Sequence, residues 1–469
     1  MKSKAGRKLA AGLSAALLCL PLAAAVANKP NFLFIFADDL ASYELGCYGG
    51  QNVPTPNLDR LATQGMRCTQ MFASEAMCVP IRSSLYTGLF PVRNGACRNH
   101  EAVKPGTKSV PHYLEPLGYR VGLTGKVNVR PPAAFPFVSV PGFEPNCVAP
   151  TANYTLDGIR QFMTQNPQQP FCLFVCSTLP HAPWTVGDAA HFPPAKLVLP
   201  PIWPDTPELR AAFSKYCAEV EALDQQVGAV LKALEESGAA PNTLVIFGGE
   251  QGAQFPGEKW TLFAPGVNSA LLARWPGRIK AGTVSDALMH YEDVLPTLIA
   301  AAGGTPPAEI DGRSFLPVLT GEKSAHRDFI FGIHNNVPEG RPYPIRSIRS
   351  RDYKLILNLA SQQPYHEKHV MDIDRENYWK ATAAAAARDP AVARPLDRYL
   401  KRPPVELYAV NKDPWELENL ADCPDLATIR RELEEKLRTW MRKQGDAGAV
   451  LDVEQPQPAK KKQKKGKSP

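Results

Sequence analysis

The stretch NFLFIFADD, residues 31 to 39, decides the fold. It is a short, continuous apolar run that ends in two carboxylates, the pattern of a strand buried on both faces. The next segment, TPNLDRLATQG (55 to 65), reads as a helix with Thr55 as N-cap, Pro56 at the first helical position and Gly65 as the stop. YRVGLTG (119 to 125), FCLFVCST (171 to 178) and TLVIFGGE (243 to 250) are further strand candidates. A long helix from about Thr206 to Ser237, stopped by Gly238, separates the last two. Strands alternating with helices predict an α/β domain with a largely parallel central sheet.

After Gly303-Gly304 the pattern changes. DFIFGIH (328 to 334), IRSIRS (345 to 350), YKLILNL (353 to 359) and ELYAV (406 to 410) are short strands set close together, and a charged amphipathic helix spans about Asp425 to Lys443. They predict a smaller α+β domain over 325–447, after a main domain over 28–324. The stretches Pro193–Pro207 and Pro364–Pro404 read as surface excursions with little regular pattern.

Residues 1–27 carry Lys2, Lys4, Arg7 and Lys8, an apolar run from Leu9 to Ala24, and Ala25-Val26-Ala27. That is the layout of an export signal cut before Asn28, so a periplasmic or secreted location is expected. No later run is long enough for a transmembrane span. The net charge of +7 is unevenly placed: ten of the 53 basic residues sit in the leader and in the tail AKKKQKKGKSP, and the remainder is slightly acidic against 46 acids. A nucleic-acid partner is therefore not expected. Residues 448–469 read as a disordered, lysine-rich tail. Of ten cysteines, nine remain beyond Cys19, an odd number, and some pairing among them is open in an oxidising compartment.

In open α/β sheets, ligands sit beyond the carboxyl ends of the strands. Asp38-Asp39 ends one strand, Glu250-Gln251 ends another, and His181 follows a third within PHAPW. Three carboxylates and an amide carbonyl form a hard-oxygen set suited to Ca²⁺, or Mg²⁺, rather than zinc. In MCVPIRSSLYTG (77 to 88), a helix opened by Pro80 would put Cys78 at its N-terminal mouth and Arg82 one turn below. Helix N-terminus and guanidinium together favour an anion.

The Cys78–Arg82 run CVPIR resembles the C-x-P-x-R signature of type I sulfatases, in which the cysteine is oxidised after translation to formylglycine. FADD, TPNLDRLATQG, LYTGLFPVRNG, GYRVGLTGK, PHAPW, NTLVIF, LLARWPG, DVLPTL, DGRSFLPVL, YKLI and DPWELENLA resemble blocks of that family in the family's order. YPIRSIRSRDYKLILNL and FPGEKWTLFAPG resemble the branch that includes heparan N-sulfatase (sulfamidase) and its bacterial relatives. The resemblance implies an alkaline-phosphatase-like fold: a large mixed, mainly parallel sheet between helices, and a smaller C-terminal domain with an antiparallel sheet. It implies hydrolysis of sulfate esters or N-sulfates of sulfated carbohydrates, with release of inorganic sulfate. One hydroxyl of the aldehyde hydrate attacks sulfur, and the other expels sulfate as the aldehyde reforms.

By the same resemblance, Asp38, Asp39, Glu250, Gln251 and residue 78 would hold Ca²⁺, and Arg82 would fix the hydrate. Lys126 and Lys259 would clamp the sulfate, and His181 would contact the leaving oxygen as general acid. A formylglycine-generating enzyme or an anaerobic maturase would be a required partner. His334 and Arg346 are candidate substrate contacts, with a structural role as the competing reading; His100, His112 and His290 read as structural.

Three positions depart from the family pattern. Glu250-Gln251 stands where Asp-Asn or Asp-His is usual, Ile81 replaces a frequent Ser or Ala, and Asn128 occupies the place of a histidine base. An asparagine cannot take up that proton, which keeps open a second reading, a protein that binds sulfated glycans without turning them over.

Overall fold

The computed structural model describes residues 29 to 453; the leader and the lysine cluster at 460–467 lie outside them. Among the described residues nine strands form the central sheet: β1 (Asn31–Ala37), β2 (Met66–Phe72), β3 (Arg120–Gly125), β4 (Val138–Ser139), β5 (Phe171–Cys176), β6 (Thr243–Gly249), β7 (Asn268–Arg274), β8 (Thr283–Ser285) and β9 (Met289–His290). They run in the order β4-β3-β5-β1-β6-β7-β2-β8, with β9 also pairing β2. The opening stretch is the central strand expected of it, since Phe32 through Ala37 are all buried and β1 lies parallel between β5 and β6. β7 runs antiparallel to both of its neighbours, which makes the sheet mixed.

Register explains where the chemistry collects. Ala37 pairs with Gly249, Phe36 with Cys176, and Cys176 with Gly125. Parallel strands in step end in step, so Asp38, Glu250 and Lys126, each the next residue along its chain, leave the sheet at one rim. His181 follows five residues after the end of β5.

The long helix spans Pro207–Glu236, and the Thr206 hydroxyl accepts from Leu209 N–H, as the sequence predicts. The helix Pro56–Thr63 also forms, but Thr55 does not cap it. Its hydroxyl accepts instead from Gly46 N–H, and Asp224 of the long helix takes the Asn57 and Leu58 N–H groups at 3.2 and 2.9 Å. A tertiary cap does what a local one was expected to do.

The smaller sheet holds β10 (Ile330–His334), β11 (Ile345–Arg349), β12 (Tyr353–Asn358) and β13 (Val405–Ala409), all antiparallel. The helix Ala427–Gln444 buries Leu433, Leu437, Trp440 and Met441, a stripe at helical spacing. Trp440 stacks on Phe331 of β10 and meets Phe90 edge-on. No described helix is long and apolar enough to cross a membrane.

Two expectations need correction. The segment 364–404 is not irregular: it contains the helices Trp379–Ala386 and Pro390–Leu400, and the Thr382 hydroxyl meets that of Thr206 at 2.9 Å. Its alanine-rich sequence favours helix but lacks the apolar stripe that would have marked one. The chain is also folded past residue 448, because Asp452 is buried and accepts from the N–H groups of Asn336, Val337 and Tyr343. The question of pairing, left open by the sequence, has its answer in nine unpaired cysteines within the described residues.

Candidate active site

The helix Cys78–Thr87 is buried along its whole length, with Cys78 as its first residue. Met77 supplies no side-chain cap, but Val79 N–H is taken by Asn99, Pro80 has no N–H and Ile81 N–H bonds Met77 O, so the helix mouth offers an incoming anion only the Cys78 N–H. Arg82, one turn on, is fully buried. Its Nη1 donates to Lys126 O at 2.8 Å, and its guanidinium packs over the Phe36 ring. Arg82 Nε lies 2.7 Å from Glu250 Oε1, within ion-pair distance but without the alignment of a hydrogen bond.

Lys126 Nζ bonds Asp38 Oδ2 at 2.6 Å, and Lys259 Nζ bonds Asp39 Oδ2 at 2.6 Å. By formal charge, three buried carboxylates thus face three buried cations. Burial alone would push the Asp38 carboxyl up, but Lys126, His181 and Arg82 overcome it and hold Asp38 well below the ordinary range. For Glu250 burial prevails over the pull of Arg82, and the carboxyl is raised well above its usual value. Burial also opposes charge on Lys126, yet Asp38 keeps it protonated far above the usual range.

These residues fit a hard cation. Ligand atoms of Asp38, Asp39, Cys78 and Glu250 all lie within 4.8 Å of one another. Gln251 Oε1 is buried without a hydrogen-bond partner, while its Nε2 donates to Asp39 Oδ1 at 2.6 Å. An orphaned amide oxygen beside crowded carboxylates is a ready ligand for calcium or magnesium. A dication there would also return Glu250 to its charged form.

His181 reaches the same place from the loop after β5. Its Nε2 lies 3.5 Å from Asp39 Oδ2, and Nδ1 is 2.5 Å from Ala182 O. That second contact leaves Nε2 as the nitrogen available for proton transfer. Asp39, His100, Asn128 and Trp260 all have positive φ, at 58°, 68°, 47° and 64°. Each costs of order 1–3 kcal/mol, and such strain collects at functional sites.

The nine predicted residues Cys78, Arg82, Lys126, His181, Lys259, Asp38, Asp39, Glu250 and Gln251 therefore come together. His334 and Arg346 do not join them. Arg346 is fully buried in a two-bond pair with Asp446, at 2.5 and 2.9 Å. His334 is likewise buried, between Glu75 and Asn336. Both serve the packing of the smaller sheet rather than substrate, because neither reaches the cleft. His290 is buried and structural as expected, accepting from Phe331 N–H, and His112 closes a capping box with Ser109. His100, expected to be structural, instead lines the cleft.

The cleft above Cys78 is a cavity of about 170 Å³. Its walls include residues that the sequence did not single out: Asn99, Cys147, Gln254, Trp260, Glu339, His369 and Arg375. Trp260 could have been found from its place beside Lys259 in GEKW. Glu339, His369 and Arg375 sit in stretches with no periodic pattern, and only the tertiary fold brings them to the site. Shallow grooves along the helix Ala427–Gln444 are larger, up to about 720 Å³, but hold none of these groups.

Comparison with known proteins adds an independent line. The sequence model of the family described as Sulfatase matches residues 30–304. That described as N-sulphoglucosamine sulphohydrolase, C-terminal, matches residues 253–377. An ulvan-active sulfatase of Formosa agariphila is 33% identical over 433 residues, covering 91% of this chain and 83% of its own. The N-sulphoglucosamine sulphohydrolase of Homo sapiens is 29% identical, covering 90% of this chain and 92% of its own. A structure solved in complex with its substrate D-glucosamine-2-N,6-O-disulfate superposes with a TM-score of 0.69 at 20% identity, covering 89% of this chain and 99% of that one. The last likeness speaks for the fold alone.

Proposed function

The chain belongs to the sulfatase family and is a sulfuric ester hydrolase, and on that premise we propose that it is an exported enzyme that removes sulfate, as ester or N-sulfate, from sulfated carbohydrates. The alkaline-phosphatase-like fold predicted from sequence goes with that membership. The observation that carries the reading is the convergence of Cys78, three carboxylates and three cations at one rim of the sheet. The names of the relatives, an ulvan-active sulfatase and an N-sulphoglucosamine sulphohydrolase, support a glycan substrate.

In this reading Cys78 is converted by a maturase to formylglycine, whose hydrate supplies one hydroxyl to attack sulfur and a second to release the product. Asp38, Asp39, Glu250 and Gln251 would hold a divalent cation, with Ca²⁺ favoured by the all-oxygen protein ligands, which would supply Lewis-acid stabilisation to the attacking hydroxyl and to the sulfate. The formal balance among carboxylates and cations gives this arrangement its sense: a dication leaves the site two charges positive, the complement of an ionised hydroxyl and a sulfate monoester. Lys126 and Lys259 hold the sulfate oxygens while Asp38 and Asp39 fix their ammonium groups in place. Arg82 orients residue 78 from the turn below. His181 delivers a proton from Nε2 to the leaving oxygen, its ring set by Ala182. Asn128 lines the cleft at φ +47° and leaves the second proton transfer to another group or to water.

The test couples chemistry to turnover. After expression with a maturase, the peptide containing Cys78 loses the mass of H₂S and gains that of one oxygen. Inorganic sulfate is then released from sulfated disaccharides by the matured protein and not by Cys78→Ala. Equal release from both sinks the enzymatic reading; retained binding without release favours the glycan-binding alternative suggested by Asn128.

A further inference from the structure

We propose that the part of the cleft built by His100, His369 and Arg375 is a subsite for a second anionic group of the substrate, either a further sulfate or a uronic carboxylate near the scissile sulfate; this rests on the sulfated-carbohydrate reading above. The argument begins with charge. Lys126, Lys259 and His181 line the cleft but already face Asp38 and Asp39. His100, His369 and Arg375 line it as well, against the single wall carboxylate of Glu339. That carboxylate is committed: Asn99 Nδ2 donates to it at 2.8 Å, His369 Nε2 lies 2.5 Å away and Lys368 Nζ 3.5 Å. Among the described residues the side chains of Arg375 and His100 make no ion pair or hydrogen bond. With Glu339 committed, the positive charge of Arg375 at the cleft rim has no wall carboxylate to balance it, which draws a second anion toward it.

Geometry makes His369 more than a surface ring. Glu339 occupies Nε2 and leaves Nδ1 as the ring's uncommitted nitrogen. Burial pushes the Glu339 carboxyl up, but His369 and Asn99 hold it down at about 2, so it stays ionised and keeps the ring in place. The imidazole lies flat against Trp260, with centroids 5.4 Å apart and planes 7° from parallel. Lys259 Nζ lies 4.9 Å from the centre of the same indole. The backbone of Trp260 is held at both ends, its amide N–H donating to Ala76 O and its carbonyl accepting from the Tyr365 hydroxyl, and the indole is buried. One ring therefore sets the spacing between the group assigned to the scissile sulfate and the group assigned to the second anion. A free guanidinium at Arg375 adds the forked geometry that suits sulfate or carboxylate.

The experiment compares three substrates that share one scissile sulfate: the monosulfated saccharide, the same with a second sulfate, and the same with a uronic acid. With matured protein, one of the two added anions lowers KM by about tenfold, as a charge-assisted contact should, and leaves kcat nearly unchanged. Whichever does so identifies the source of the anion. In Arg375→Ala and in His369→Gln the ratio of KM values between the monosulfated and doubly anionic substrates collapses toward one. No advantage from either added anion, or a loss in the variants that is equal for all three substrates, overturns the proposal. Calorimetric binding of the same saccharides to Cys78→Ala reads the subsite without turnover. A protein that releases no sulfate yet still prefers the doubly anionic ligand would fail the hydrolytic reading and keep the subsite.

Discussion

The Lys126 ammonium lies 2.6 Å from Asp38 Oδ2, with both side chains shut off from solvent. Removing one partner of such a pair strands the other as an unpaired buried charge. Lys126→Met should lower unfolding free energy by about 3–5 kcal/mol in the presence of a chelator. The loss should be smaller in calcium, because a bound dication supplies the missing positive charge to Asp38. Urea unfolding with and without calcium measures both, and an equal loss in the two conditions counts against a cation at this carboxylate.

The oxygen set should make the folded state calcium-dependent. At about 100 times its Kd, calcium adds about 2.7 kcal/mol to unfolding free energy. Glu250→Gln removes a charged ligand and should shift the calcium titration of the melting temperature to higher concentration. A melting temperature indifferent to calcium would contradict the assignment.

Arg346 separates a packing role from a substrate role. Arg346→Met strands the buried Asp446 and should cost about 3–5 kcal/mol in stability. The protein that remains folded should keep its KM. A raised KM with unchanged stability would return Arg346 to the substrate.

At position 128, φ is +47°, a region where asparagine and histidine are both tolerated better than most residues. Asn128→His therefore restores a base without distorting the backbone. It should raise kcat, by up to about 10²-fold if the second proton transfer limits turnover. Steady-state sulfate release compares the two proteins directly.

Acid should destabilise the protein through its buried histidines. Burial, with Arg327 adding to it, pulls His290 down to about 3; burial does the same to His334. Between about pH 6.5 and pH 3 the unfolded chain binds a proton at each that the folded chain refuses, so stability falls as pH falls through that window. The slope is at most about 1.4 kcal/mol per pH unit for each group. His290→Gln should flatten the dependence of unfolding free energy on pH between 7 and 5, apart from any constant loss from repacking.

The first strand, the long helix and the strands of the smaller sheet were legible because each carries its own pattern: Phe32 to Ala37 as one apolar run, Thr206-Pro207 as a helix start, IRSIRS and YKLILNL as short strands. The carboxylate end of the site was legible for the same reason, since Asp38 and Glu250 punctuate apolar strands. What escaped depends on contacts distant in sequence. The Asn57 and Leu58 N–H groups are capped by Asp224, far along the chain. His369 gains its position from Glu339 and Trp260, and nothing in the sequence around it points to either. For Arg346 the sequence left two readings open, because a polar residue on a short strand looks the same whether it meets a ligand or, like this one, a buried aspartate.

The anchoring of Asp452 on the N–H groups of Asn336, Val337 and Tyr343 orders events during synthesis. The loop that carries Glu339 is closed by residues near the carboxyl terminus, whereas Cys78 emerges early. A chain threading out of the ribosome thus exposes the Cys78 thiol well before the wall that will enclose it can be locked. The proposed conversion of Cys78 would fall in that interval, and a chain cut short at residue 447 would keep the interval open by leaving the loop unlatched.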